Sequence, residues 1–382
     1  MPSSTPTSPR RSRYIRGAAG AAAALLLTSA CGGAQDEPEA AEAASVIDDE
    51  RCATNEAAGT ITYLTGFQYQ SSVSILEPIA AQALGYFDAL CLDVEIQPGD
   101  GNTIGNAQTV AAGTSQFTSL GNEAEILQAN NAGSDVIGVA TYGHVPIATL
   151  LTGPDIEDLT DLEGTTLGHK GMLPAPVEAM LNAAGVDMSQ IEQVEVGYDP
   201  SVLPRGQVQS LTAFRSNEPF QLEAMGEDYT AWMPEDYQVV GSFGVMATSP
   251  DFAEANPTVV EDFLRAMSRA FDYCVENGRE CVEYAAELGG AEYDVDHNLR
   301  VWEAESQLAI ASTSENTPVG YIDLALTEAE GRTLVEYEQL EKLPDLELLF
   351  EPKYLVSVHT LGTVTWPGGT EIEDMAEEQA QQ

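Results

Sequence analysis

The segment "SILEPIAAQALGYFDALCLDVEIQPGDGNTIGNAQTVAAGTSQFTSLG", residues 74–121, switches between two hydrophobic periods. Ile75, Ile79, Ala83 and Phe87 fall on one helical face, despite Pro78 near the start. "LDVEIQP" then reads as a strand, "NTIGNAQTVAAG" as a helix and "QFTSLG" as a further strand. On the N-terminal side "TITYLTGF" reads as a buried strand; on the C-terminal side "EAEILQANNAG" and "DVIGVATY" extend the alternation. Strands separated by a helix of this length call for crossover connections, and hence a parallel sheet covered by helices.

A second α/β unit opens after Pro146. "TDLEGTTLGHK" holds a strand, "PAPVEAMLNAAG" a helix, "IEQVEVGY" a strand, and "LPRGQVQSLTAF" a helix with a short strand. "SNEPFQLEAMG" and "YQVVGSFGVMATS" follow, and from "NPTVVEDFLRAMSRAFDYCVENG" onward the chain is mainly helical. The expected organisation is an α/β chain of two lobes. Residues 59–147 with 245–370 form the first lobe and 148–244 the second, with an acidic tail over 371–382.

The N-terminal end reads as an address. Arg10, Arg11, Arg13 and Arg16 precede the apolar run "GAAGAAAALLL", which is of signal-peptide length and too short for a stable membrane anchor. "TSAC", ending at Cys31, resembles a bacterial lipoprotein box, in which the cysteine is lipidated and becomes the new N-terminus. Residues 1–30 are then a leader, and residues 31–58 an acidic flexible tether to the outer face of the cell membrane. A plain secretory signal is the alternative. "PRRSR" carries twin arginines but a basic Arg13 where that export signal prefers a hydrophobic residue, which leaves the route open.

Removing residues 1–30 removes four Arg, so fifteen basic residues become eleven against sixty-one acidic, and the net charge goes from −46 to −50. Lys170, Lys342 and Lys353 are the only lysines. Nucleic acid is excluded as a partner, because phosphate binding needs clustered Lys and Arg. Such a surface repels itself unless ions screen it, which points to a saline habitat. Cys52, Cys91, Cys274 and Cys281 remain after Cys31, an even number in an exported chain, with three possible pairings. Cys274–Cys281 with Cys52–Cys91 is the favoured set. A continuous helix would hold residues seven apart at roughly 10 Å, so the first pair needs the bend that Asn277-Gly278 offers. The cysteine spacing and the scattered histidines fit no zinc pattern, and no metal or cofactor is expected.

Catalytic signatures are lacking: there is no GxSxG, no Walker loop and no HExxH. "GDGNTIG" places its third glycine one residue late for a dinucleotide loop, and Asp100 would repel a pyrophosphate. His144 and His169 have no nucleophile or paired carboxylate tied to them by spacing.

The order "GYF", "LDVE", a Gly-rich turn, "VAAGTSQF", "DLEGTTLGHK", "SNEPFQLEAMG" and "TPVGYIDLALTEAEGRTLVEYEQL" resembles the substrate-binding proteins of bacterial ABC importers. It is most similar to the branch serving thiamine-pyrimidine precursors, nitrate, sulfonates and taurine, over about residues 60 to 350. The resemblance implies a periplasmic-binding-protein-like fold (type II) with a ligand cleft between lobes, acting as a monomer without catalysis. The partners implied are a small molecule, an ABC permease with its ATPase, and the membrane through a lipid anchor. "NEP" and "GYID" look closest to binders of thiamine-pyrimidine precursors; nitrate, sulfonate or taurine, and riboflavin are alternatives. A eukaryotic pyrimidine synthase shares the fold, but its cysteine-rich iron motif is missing here. A ligand sensor remains a further alternative.

Ligands in open α/β sheets sit outside the carboxyl ends of strands, near helix N-termini. That rule nominates Phe67, Gln68 and Tyr69 after the first strand, and Asn122 and Glu123 at a helix start. It also nominates Tyr142 and His144 near the crossing to the second lobe, and Lys170 and Gly171 before a helix. Asn217 and Glu218 complete the set. Asn217 is expected as an N-cap, with Glu218 in the first turn, where a carboxylate is favoured by the helix dipole or accepts N–H groups from a ligand.

Overall fold

The computed structural model describes residues 46–314, 316–360 and 362–365. The leader, Cys31 with its expected lipid, and the acidic tail lie outside the described residues.

The first sheet has the strand order Val94–Gln97, Ile61–Leu64, Phe117–Leu120, Phe243–Thr248, Ile137–Gly143. Ile61–Leu64 pairs in parallel with both of its neighbours, whereas Phe243–Thr248 runs antiparallel between Phe117–Leu120 and Ile137–Gly143. Alternate residues face opposite sides of the pleat. Met246 therefore joins the apolar cluster containing Ile61, Tyr63, Phe263 and Trp302, while Val245 and Ala247 join the one with Leu127, Leu334 and Phe350. Helices thus cover both faces, as a parallel-rich sheet requires.

The second sheet has the order Thr230–Trp232, Ala148–Thr152, Ser210–Phe214, Thr166–His169, Glu192–Glu195. Here Ala148–Thr152 is the antiparallel member beside Ser210–Phe214. Leu150 packs towards the Ala175–Ala183 helix with Val177 and Met180, and Leu151 packs on the other side with Leu211 and Leu222. The chain passes between the sheets twice, through residues 144–147 and 233–242. The two crossings run side by side: a Cβ on Gly241 would stand 2.9 Å from the Pro146 ring.

The C-terminal helices return to the first sheet. Pro257–Glu276 and Gly278–Gly289 are separated at Asn277, and the break brings the Cα atoms of Cys274 and Cys281 to 5.7 Å in a disulfide. Cys52–Cys91 forms the other disulfide. The expected tether to residue 58 is corrected at its end. Val46 and Ile47 are buried in the core, and Asp49–Glu56 is a helix held by its disulfide and by Arg51, whose guanidinium pairs with Asp262 at 2.7 Å. The acids of this segment cap and solvate a docked helix: the Asp48 side chain accepts from Arg51 N. Among the described residues no helix is long and apolar enough to cross a membrane.

Candidate functional site

A cavity of ≈ 220 Å³ opens between the two sheets. The first unit supplies Phe67, the turn Ser72–Ile75 and the strand end Ser119–Gly121. The second unit supplies Lys170, which follows strand Thr166–His169, Phe214, which ends strand Ser210–Phe214, and Ser216, Asn217 and Glu218, which follow it. Tyr198, Phe243, Gly244 and Glu305 complete the main wall. Thr166–His169 and Ser210–Phe214 contribute from their carboxyl ends, whereas the antiparallel members Phe243–Thr248 and Ala148–Thr152 face the cavity with their starts, at Phe243 and at Ile147.

Aromatic groups close the cavity across the gap. Phe67 of the first unit and Tyr198 of the second lie with ring centroids 5.6 Å apart. Gly101 makes this approach possible: its φ is +91°, and a Cβ there would stand 3.1 Å from the Phe67 ring and 3.2 Å from the Tyr198 hydroxyl. Lys170 Nζ lies 5.2 Å from the Phe214 centroid and 5.7 Å from that of Tyr198, within cation–π range of both.

Glu218 is buried, with one carboxylate oxygen ion-paired to Lys170 and the other accepting the Phe214 backbone N–H at 2.7 Å. Burial pushes the Lys170 ammonium down, to about 7, and the carboxylate in contact with it opposes that fall. Asn217 stands at the N-cap position, but its side chain makes no capping bond, a correction to the expected N-cap role. Its Oδ1 instead accepts from Gln221 Nε2 at 3.1 Å and lies 2.8 Å from His297 Nε2 on the Val295–Ala311 helix. Other contacts join the same two elements: Arg300 pairs with Glu223, and its guanidinium lies 4.1 Å from the Phe220 centroid.

The structure brings Phe67, Lys170, Asn217 and Glu218 of the expected set to this cavity and places the others elsewhere. Gln68 and Tyr69 line a neighbouring surface cleft with Tyr293 and His297. Asn122 caps its helix, accepting from Glu125 N at 3.1 Å, and lines a smaller ≈ 170 Å³ cavity on the far side of Lys170 and Phe214. Glu123 is buried in the first unit, where Thr141 Oγ1 donates to it at 2.7 Å. Tyr142 packs in the core against Phe271 at 5.9 Å. His144 Nε2 lies 2.9 Å from Tyr321 O, and Gly171 forms a positive-φ turn away from the cavity.

Several wall residues escaped the sequence reading. Phe214 ends a strand and Ser216 follows it, and both were accessible to the same rule that found Lys170. Glu305 left a different signal. On the Val295–Ala311 helix the buried stripe is Asn298, Val301, Trp302, Glu305, Ser306, Ala309, and an acid on such a stripe announces a polar partner or a ligand.

Two α/β units joined by paired crossings around an interior cavity, with the antiparallel strand second from the edge in each sheet, define the periplasmic-binding-protein fold. The chain belongs to the NMT1/THI5-like family, whose model matches residues 74–281. Solved structures support the fold at low identity. The periplasmic sulfonate-binding protein SsuA of Methylobacillus flagellatus is 15% identical with a TM-score of 0.57, over 78% of this chain and 93% of that one. The aliphatic sulphonate-binding protein SsuA of Escherichia coli is 14% identical with a TM-score of 0.56, over 76% and 91%. The same fold also carries an enzyme: the desulfurization enzyme DSZB, solved with biphenyl-2-sulfinic acid, is 15% identical with a TM-score of 0.55, over 78% and 98%. No curated protein sequence matches the chain.

Proposed function

We propose that this chain is the extracytoplasmic solute-binding protein of an ABC importer, lipid-anchored through Cys31, which captures a small nitrogen heterocycle of the thiamine-pyrimidine type. The observation that carries the reading is the cavity between the two units, walled by Phe67, Tyr198 and Phe214 and set with the Lys170–Glu218 pair. A flat ring stacks on such walls, and a carboxylate held at a strand end accepts its amino N–H groups.

The mechanism is a shift in population. Wall residues come from both units, so a ligand touching Phe67 and Glu218 together binds the closed arrangement better than an open one and stabilises it by that difference. The permease then receives the closed form. An oxyanion such as nitrate or an alkanesulfonate wants N–H donors and cations. Here Lys170 is already engaged, and two carboxyls, Glu218 and Glu305, line the cavity.

Calorimetry with 4-amino-5-hydroxymethyl-2-methylpyrimidine tests the reading. Binding is expected in the wild type, weakened by roughly 10–100-fold in Glu218→Ala, as for loss of a charge-assisted hydrogen bond. Equal affinity in both proteins removes Glu218 from the site.

A further inference from the structure

Among the described residues Glu305 is the one carboxyl besides Glu218 that lines the cavity, and it is 4% exposed. Its Oε2 accepts from Val73 N at 3.0 Å and its Oε1 from Ser216 Oγ at 2.5 Å. Val73 belongs to the turn before the Leu76–Ala83 helix of the first unit, and Ser216 to the loop after strand Ser210–Phe214 of the second. One carboxyl therefore touches both units, and with the Ser72 side chain as a third donor it keeps room for one further donor.

The surroundings of Glu305 are acidic. Glu77, on the neighbouring helix, is fully buried, its carboxyl meets backbone N–H groups of its own turn at Ser74 and Glu77, and it feels the charge of Glu305. Tyr63 and Tyr142 stand beside Glu77, and the Tyr63 hydroxyl is already given to Ser74 O. The available cations are engaged elsewhere: Lys170 with Glu218, Arg300 with Glu223, and the His297 ring with Asn217. Two neighbouring buried acids with no base facing them among the described residues form a costly arrangement that a donor-bearing ligand relieves.

We propose that Glu305 is a specificity-determining residue of the cavity, reading an N–C–NH2 edge of a nitrogen heterocycle and tying that contact to the second unit through Ser216. This rests on the ligand class proposed above and adds a second recognition point to Glu218. A protonated carboxyl donates O–H to the ring nitrogen and accepts from the amino N–H, two parallel hydrogen bonds from one planar group. Burial raises Glu305 to about 7, so the proton is at hand near neutrality. A neutral aminopyrimidine then binds the protonated form, and its affinity falls as pH rises and Glu305 ionises. An amide reproduces the same donor–acceptor pattern without titrating.

Calorimetric titration with 4-amino-5-hydroxymethyl-2-methylpyrimidine, and with the analogue lacking its amino group, separates the possibilities. The wild type is expected to lose about tenfold or more in affinity between about pH 6 and about pH 8.5. Glu305→Ala is expected to lose the aminopyrimidine, and Glu305→Gln to rescue it with a flatter pH profile, in which the remaining slope comes from Lys170 in the same cavity. Removing the amino group should then cost affinity in the wild type and in Glu305→Gln but not in Glu305→Ala. A wild-type pH profile retained in Glu305→Gln overturns the inference while the importer reading stands. Failure of the aminopyrimidine to bind the wild type, with or without binding of methanesulfonate, overturns both the inference and the ligand class.

Discussion

Glu218 and Lys170 are each placed by a strand end, and each explains the other. A buried carboxylate beside a buried ammonium is stable only while both are present. Lys170→Met leaves the Glu218 carboxylate with the Phe214 N–H alone, and urea unfolding is expected to show a loss of about 3 kcal/mol. The Lys170→Met/Glu218→Gln double variant should recover much of that loss, because it removes the stranded charge. Both members were legible in the sequence, since each follows a strand at a turn. Their pairing was not, because forty-eight residues separate them and only the parallel register of Ser210–Phe214 with Thr166–His169 brings their ends together. Glu305 was hidden for another reason: its partners Val73 and Ser216 come from two distant loops that the fold alone joins.

Helix starts carry the next level of organisation. Glu123, nominated as a cavity residue, opens the Glu123–Asn131 helix and turns into a buried network. Ser242 Oγ accepts from Glu123 N at 2.8 Å and donates to Glu330 Oε2 at 2.7 Å, and the Ala124 backbone N–H also meets the Glu330 carboxyl. Burial raises Glu123 to about 7, and burial with the neighbouring Glu123 charge raises Glu330 to about 8. The folded chain therefore keeps protons that the unfolded chain releases at ordinary glutamate pH. Stability from this pair is complete below about pH 4.5 and is lost as pH rises through 7 to 8. Between about pH 5 and 6, where Lys170 is still largely protonated, the urea midpoint should fall by the equivalent of about 2 kcal/mol. Glu123→Gln/Glu330→Gln should flatten much of that slope, and an unchanged slope would place the titration elsewhere. The sequence pattern located this helix correctly but not the direction of its first residue, because a strand-end rule fixes position along the chain and not which side of the helix meets the core. Elsewhere at this scale, removing Cys52–Cys91, whose partners stand 39 residues apart, should cost about 2–4 kcal/mol in chemical unfolding. That disulfide fastens a segment which composition alone marked as a tether.

For the molecule as a whole, the alternation of strand and helix in residues 59–143 was enough to foresee a parallel sheet. The antiparallel entry of Phe243–Thr248 was not, since direction within a sheet leaves no trace in hydrophobic period. The excess of acidic residues acts at this scale too. Raising NaCl from about 0.1 M to about 2 M should raise the thermal midpoint, by screening repulsion among surface carboxylates. A midpoint indifferent to salt would mean that the charge is spread too thinly to strain the fold. The central claim, that the cavity takes a nitrogen heterocycle, is tested most directly by thermal unfolding of residues 31–382 with and without candidate solutes. At ~100 times its dissociation constant a true ligand adds about 2.7 kcal/mol and raises the midpoint by a few degrees. The account predicts that rise with 4-amino-5-hydroxymethyl-2-methylpyrimidine and none with nitrate or methanesulfonate; a rise with the anions alone would contradict it.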